Sequence, residues 1–120
     1  MVKGIGVDVV NLRRFERVLI KTPRIKNRLF TQREIENSYS LWNLAGKFAA
    51  KEAVLKSVGL GLSNGLCWHD VEIIGNFNSP PKVILSPKAK EIIPNVEFFL
   101  SISHERDFVV AVCLAVLSNT

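Results

Sequence analysis

The chain of 120 residues has only two cysteines, Cys67 and Cys113. They are too few and too widely spaced for a disulfide framework or a cysteine-bound zinc. Long apolar runs are also missing. The longest, from Phe108 to Leu117, is ten residues, short of the roughly 18 that a membrane span requires but suited to a buried strand. The opening Met1-Val2-Lys3-Gly4 lacks the charged and apolar regions of a signal peptide, so a cytoplasmic protein is expected. No low-complexity tract or internal repeat is evident. Nor is there a P-loop, a glycine-rich dinucleotide fingerprint or a nucleophile elbow. Any catalysis must therefore be carried by residues outside those signatures.

What the chain does have is an ordinary globular composition, 48% hydrophobic, and a length that predicts one domain over residues 1–120. Its net charge of +5 is unevenly spread. Lys3, Arg13, Arg14, Arg17, Lys21, Arg24, Lys26 and Arg28 face only Asp8 and Glu16 in the first 28 residues, leaving the remainder close to neutral. A partner with a negative surface, or a polyphosphate, is implied. A small basic nucleic-acid-binding domain is the alternative reading. It would leave Glu52, described below, without a purpose, and the basic segment lacks the interleaved exposed aromatics of a base-stacking platform.

The segment from Gly4 to Val10 is β-prone and carries Asp8 among apolar neighbours. Asn11 is a plausible N-cap for a helix over residues 12–21. Leu12, Phe15 and Leu19 form its apolar side, and Arg13, Arg14, Arg17 and Lys21 its cationic side. Pro23 ends that pattern. Thr31 and Glu34 stand at capping-box spacing ahead of a short helix, and a long helix follows over 41–58, with Gly59 as its C′ residue. Residues 60–69 read as loop, with a turn at Asn64-Gly65. Strands are expected at 70–74 and 82–85, joined by a turn over 75–81, and a short helix begins at Pro87. Residues 96–103 alternate, with Phe98, Leu100 and Ile102 on one face and His104 following on that side. Residues 108–117 are apolar on both faces and so require cover from helix or from another subunit. The fold class is α+β, an antiparallel sheet packed against a long central helix.

Glu52 is the anomaly in that helix. At about 100° per residue it projects into the stripe made by Leu41, Leu44, Ala45, Phe48, Ala49 and Leu55. A carboxylate withdrawn from water needs a positive partner. An i,i+4 pair with Lys56 would satisfy it; so would a metal or a catalytic proton. Asp8 is a second isolated carboxylate. Two such groups suit Mg²⁺, or Mn²⁺, with phosphates completing the shell, and Lys47, Lys51 and Lys56 surround Glu52 in sequence. Asp8 as a strand-end turn residue and His104 as a surface histidine are the structural alternatives.

Three segments, GIGVDVV at residues 4–10, LAGKFAAKEAVLKSVGLG at 44–61 and SISHERDFVVAVCLA at 101–115, resemble the motifs of one family. It is the holo-[acyl-carrier-protein] synthases, the small type of 4′-phosphopantetheinyl transferase. The resemblance covers nearly the whole chain and implies that fold. It also implies transfer of phosphopantetheine from coenzyme A to a serine of apo-acyl carrier protein, with release of adenosine 3′,5′-bisphosphate. By resemblance, Asp8 and Glu52 are the metal ligands and Lys56 attends the pyrophosphate. Lys47, Gly59 and His104 line or shape the coenzyme A site. Arg13, Arg14, Arg17 and Lys21 receive the carrier protein. Members are typically homotrimers with active sites between adjacent subunits. Two departures stand out. Arginine is usual where this chain has Lys47, and Gly59-Leu60-Gly61 replaces a common Gly-Thr-Gly.

Overall fold

The computed structural model describes residues 1–75 and 80–118. Strand β1 (Val2–Asn11) runs into helix α1 (Leu12–Lys21), followed by α2 (Ile25–Leu29), α3 (Gln32–Glu36) and the 17-residue α4 (Leu41–Ser57). Two 3₁₀ turns, Leu62–Asn64 and Trp68–Asp70, precede β2 (Val71–Ile74) and β3 (Lys82–Leu85). Helix α5 (Pro87–Ile92), β4 (Val96–Glu105) and β5 (Phe108–Leu117) complete the order. The strands form an antiparallel sheet in the order β1-β5-β4 and a separate antiparallel pair, β2-β3. The α+β class and the central helix are as the sequence predicts.

Local chemistry explains the helix ends. The Asn11 side chain accepts from Arg14 N at 3.0 Å, and Thr31 and Glu34 cap each other reciprocally at the start of α3. Ser40 and Ser86 cap α4 and α5. At the far end of α4, Leu60 N donates to Leu55 O and Gly59 N to Lys56 O, with Gly59 at φ +70. That is the Schellman geometry, which requires a left-handed residue at this point.

Several boundaries differ from the sequence reading. Helix α2 forms just after Pro23, because burial of Leu29 and Phe30 rewards a turn of helix that periodicity over five residues could not reveal. The 60–69 segment holds two 3₁₀ turns rather than open loop. Strand β1 extends beyond Gly4–Val10 at both ends, and β2 begins at Val71. The connection expected over 75–81 falls in part outside the described residues.

Register decides which side chains meet α4. Gly4, Gly6 and Asp8 alternate onto one face of β1 and pair with Ala115, Cys113 and Ala111 of β5. A Cβ on Gly6 would lie 2.0 Å from Ala53 O, and one on Gly4 2.1 Å from Ser57 O. The C-terminal half of α4 therefore rests directly on the β1 backbone. Its N-terminal half lies over the other edge, where Gly46 faces Ile102 of β4 and Val109 of β5. The helix crosses the sheet obliquely. The opposite sheet face leaves Ile5, Val7, Val9, Phe99 and Val112 exposed, so this chain's described residues cover β5 on one side only.

Helix α4 is buried on more of its circumference than the sequence stripe implied, and the burial takes in charge. Lys51 and Glu34 are both fully buried, with Nζ 2.7 Å from Oε1. Lys51 also donates to Trp68 O at 2.9 Å and lies 5.6 Å from the Phe30 ring centre. Glu34 accepts from Thr31 N, the N-cap of α3, and from Ile73 N on β2. Burial pulls the Lys51 ammonium below its usual pKa, opposed by the charge of Glu34. Removing one member of a buried pair leaves the other unmatched, at a cost of about 3–5 kcal/mol. Lys51→Met should lose stability on that scale in urea unfolding. Lys51→Met combined with Glu34→Gln should lose less, because no lone charge then remains inside.

Candidate active site

Asp8 reaches the site because Gly4 and Gly6 precede it on the same strand face, so the helix that touches them passes beside its carboxylate. On α4, Phe48, Glu52 and Lys56 follow one another at i,i+4; Phe48 and Glu52 face the cavity walled by α1 and α2, and Lys56 reaches β1. Lys56 Nζ lies 3.1 Å from Asp8 Oδ1 and 3.1 Å from Val7 O. Asp8 and Glu52 both line a cavity of about 520 Å³, with Arg14 of α1 and Arg28 of α2 among the charged residues on its wall. Phe15, Leu29, Phe48 and Trp68 supply apolar wall. Phe48 stacks on Phe15 at 5.7 Å and lies 5.3 Å from Trp68. The two acidic side chains, distant in sequence, thus meet in one recess.

The Glu52 carboxyl is half-buried and is held above its usual range, first by burial and then by the charge of Asp8, while Lys56 works the other way. A carboxylate in that state gains from a nearby cation or a proton. The sequence reading that made Glu52 the anomalous charge of α4 needs correction. The fully buried charge is its neighbour Lys51, and Glu52 opens onto the cavity. The trio of surrounding lysines also divides. Only Lys56 faces Glu52. Lys51 is spent on Glu34, and Lys47 donates to Glu34 O at 2.9 Å and Ser38 Oγ at 2.8 Å. Burial pushes the Lys47 ammonium down, against the pull of Glu34.

His104 ends up elsewhere. Its ring lies 4.8 Å from that of Trp42, and both line a second cavity of about 430 Å³ together with Lys47, Asn43 and Ile102. Within one chain, the expected site residues therefore fall into two groups. Asp8, Glu52 and Lys56 line or adjoin one cavity, while Lys47 and His104 line the other. Gly59 closes α4 one turn beyond Lys56 and is exposed, with open space where a Cβ would stand. Its left-handed backbone is what the glycine provides.

The basic face of α1 is also divided. Arg13 pairs with Asp107 in the β4–β5 turn at 3.3 Å. Arg14 lines the acidic cavity, and Arg17 and Lys21 are exposed.

The family model of the 4′-phosphopantetheinyl transferase superfamily matches residues 4–113. The chain belongs to that superfamily. It is 43% identical over 122 residues to the holo-[acyl-carrier-protein] synthase of Alkaliphilus metalliredigens, covering 96% of this chain and 99% of the relative. Its fold is similar to that of the holo-[acyl-carrier-protein] synthase of Neisseria meningitidis, with a TM-score of 0.85, 31% identity and coverage of 97% and 99% of the two chains. The Bacillus anthracis synthase, solved in complex with CoA (3′,5′-ADP), matches with a TM-score of 0.80 and 31% identity over 99% of each chain.

The geometry of the cavity shows what the sequence reading missed. Arg28 was visible only as one of eight early cations, and nothing in its spacing placed it on the same cavity as Glu52. Phe15 was legible as a core residue of α1 but not as a cavity wall. Trp68 sits in a 3₁₀ turn that has no periodic signature.

The electrostatics can be tested without substrate. In metal-free buffer, NMR titration of Lys56→Met should place the Glu52 carboxyl still higher than in the parent, because the Lys56 charge that lowers it is gone. Asp8→Asn should move it back toward its usual value of 4.5.

Proposed function

We propose that this chain transfers the 4′-phosphopantetheine group of coenzyme A to a serine of apo-acyl carrier protein. The reaction is Mg²⁺-dependent, releases adenosine 3′,5′-bisphosphate and serves fatty acid biosynthesis in the cytoplasm. Superfamily membership and the relatives' activity support the transferase reading. The free thiols Cys67 and Cys113 suit a reducing compartment. The observation that carries the site is the meeting of Asp8, Glu52 and Lys56 at one cavity.

The donor chemistry fits the cation. Two carboxylates offer hard oxygen ligands, and Asp8 raises the pKa of Glu52, so the pair gains from sharing a positive charge. Held by Asp8 and Glu52, Mg²⁺ would neutralise charge on the diphosphate oxygens, the kind of stabilisation on which phosphoryl transfer chiefly relies.

The remaining steps belong to the chain's own side chains. Glu52 is the first candidate to accept the proton of the carrier serine, and His104 the second. The serine oxygen forms a bond to the β-phosphorus while the bond from that phosphorus to the nucleotide-bearing oxygen breaks. Lys56 directs its ammonium from Asp8 to the diphosphate, countering the charge that grows there. Arg14, Arg17 and Lys21 receive an acidic helix of the carrier protein, with Arg13 at the edge of that surface.

Lys47, Gly59 and His104 shape the coenzyme A site in this proposal, and a homotrimer brings the two groups together. The exposed Ile5, Val7, Val9, Phe99 and Val112 provide an apolar face for neighbouring copies. Lys47 and His104 of one copy would then complete the site around Asp8, Glu52 and Lys56 of the next.

The decisive experiment mixes this protein with apo-acyl carrier protein, coenzyme A and Mg²⁺ and measures the intact carrier mass. Gain of one phosphopantetheine is expected; an unchanged mass would remove the proposal. Glu52→Gln should cut turnover about 10²- to 10³-fold, the scale of losing one electrostatic group, with an unchanged thermal midpoint. Arg14→Glu should raise KM for the carrier well above any change in KM for coenzyme A, in steady-state assays varying each substrate separately.

A further inference from the structure

Helix α2 brings Arg28, Ile25 and Leu29 to the wall of the acidic cavity, yet it has little to hold itself in place. It is five residues long, its N-cap Arg24 makes no side-chain capping bond, and its first turn carries no acidic residue. An isolated helix of that length is far below the size that is stable in water. Arg24 and Arg28, four residues apart, also repel each other along it.

A hydrogen bond from outside the helix meets that need. His69 Nε2 lies 2.7 Å from Asn27 O. A carbonyl only accepts, so Nε2 carries the proton in this contact. His69 stands in the 3₁₀ turn Trp68–Asp70, whose position is fixed from both sides. Lys51 donates to Trp68 O. Asp70 accepts from Cys67 N at 2.8 Å and from Ser86 Oγ at 2.7 Å. Burial works to raise the Asp70 carboxyl, but these bonds outweigh it and hold it below its usual value. The turn is thus a rigid anchor, and Trp68 next to His69 forms another part of the same cavity wall.

We infer that His69 is a positioning residue: its hydrogen bond to Asn27 ties α2 to the Trp68 turn and sets where Arg28 stands at the acidic cavity. This deepens the proposed function and rests on it for one point, that the cationic side of the cavity is where the carrier protein is received. The tether itself depends only on geometry. Because His69 is exposed, it can be replaced without opening the core. Glutamine is the informative replacement, since its amide nitrogen reaches about as far as Nε2 and donates in the same sense. Leucine fills similar space and donates nothing.

The test compares the full-length parent with His69→Leu and His69→Gln by amide hydrogen exchange and by steady-state kinetics. In His69→Leu, exchange of the Phe30 amide, which closes α2 onto Lys26 O, should quicken about three- to tenfold, the worth of one modest hydrogen bond. Amides of α4 should keep the parent's rates. KM for the carrier should rise by a similar factor, with kcat and KM for coenzyme A within about twofold of the parent. His69→Gln should restore both readouts.

Three results would overturn the inference: unchanged α2 exchange in His69→Leu, equal quickening in α4, or glutamine behaving as leucine does. A rise confined to KM for coenzyme A would overturn the carrier-facing assignment. Should the parent itself fail to modify the carrier, the transferase reading falls, while the exchange comparison still decides the tether.

Discussion

The buried pair of Glu34 and Lys51 fixes the rest of this structure. Glu34 accepts from the start of α3 and from β2, and Lys51 donates to the turn before β2. One ion pair therefore joins α3, the Trp68 turn and β2 to α4. Burying two charges offers little net stability by itself, but it demands one arrangement, because a shifted helix would strand both. Lys47, one turn earlier, adds bonds to Glu34 O and Ser38 Oγ on the same side. Together they fix the rotation of α4 about its axis. Glu52 and Lys56 are left on the side that faces β1, α1 and α2.

The second constraint is the bare backbone of β1. Gly4 and Gly6 admit the carbonyls of Ser57 and Ala53 to positions that any side chain would occupy. That contact fixes the height of the helix over the strand, as the ion pair fixes its rotation. Asp8, next on the same face after the two glycines, then lies within reach of Lys56 and influences Glu52. The proposed chemistry needs a carboxylate pair held close despite mutual repulsion, and rigid packing on either side holds it there.

The oblique path of α4 also explains why the expected site residues form two groups. Its C-terminal half carries Glu52 and Lys56 over β1, and its N-terminal half carries Trp42 and Lys47 toward His104 of β4. Residues on different ends and sides of one 17-residue helix do not share a recess in a single chain. In the proposed homotrimer, packing through the apolar outer face of the sheet would bring the two groups together.

The elements were legible where local chemistry writes them. Asn11, Thr31 with Glu34, Gly59 and Ser86-Pro87 mark helix ends through bonds made within a few residues, and strict alternation marked β4. Helix α2 and the Trp68 turn were not legible, because neither is long enough for periodicity and both exist through contacts with distant segments. Glu52 was singled out for a sound reason applied to the wrong degree. A charge does lie inside the apolar circumference of α4, but helical spacing alone could not say that Lys51 would be the one without water.

The sequence by itself determined the α+β class, the caps, the two acidic residues and the early concentration of positive charge, because each of these is a matter of residue type and short spacing. Tertiary structure alone decided that Asp8 meets Lys56, that Lys51 and Lys47 turn inward to Glu34, and that His104 pairs with Trp42 at a separate cavity. Those outcomes depend on the height and rotation of one helix over a sheet, which are set by backbone contact and a buried charge pair between segments far apart along the chain.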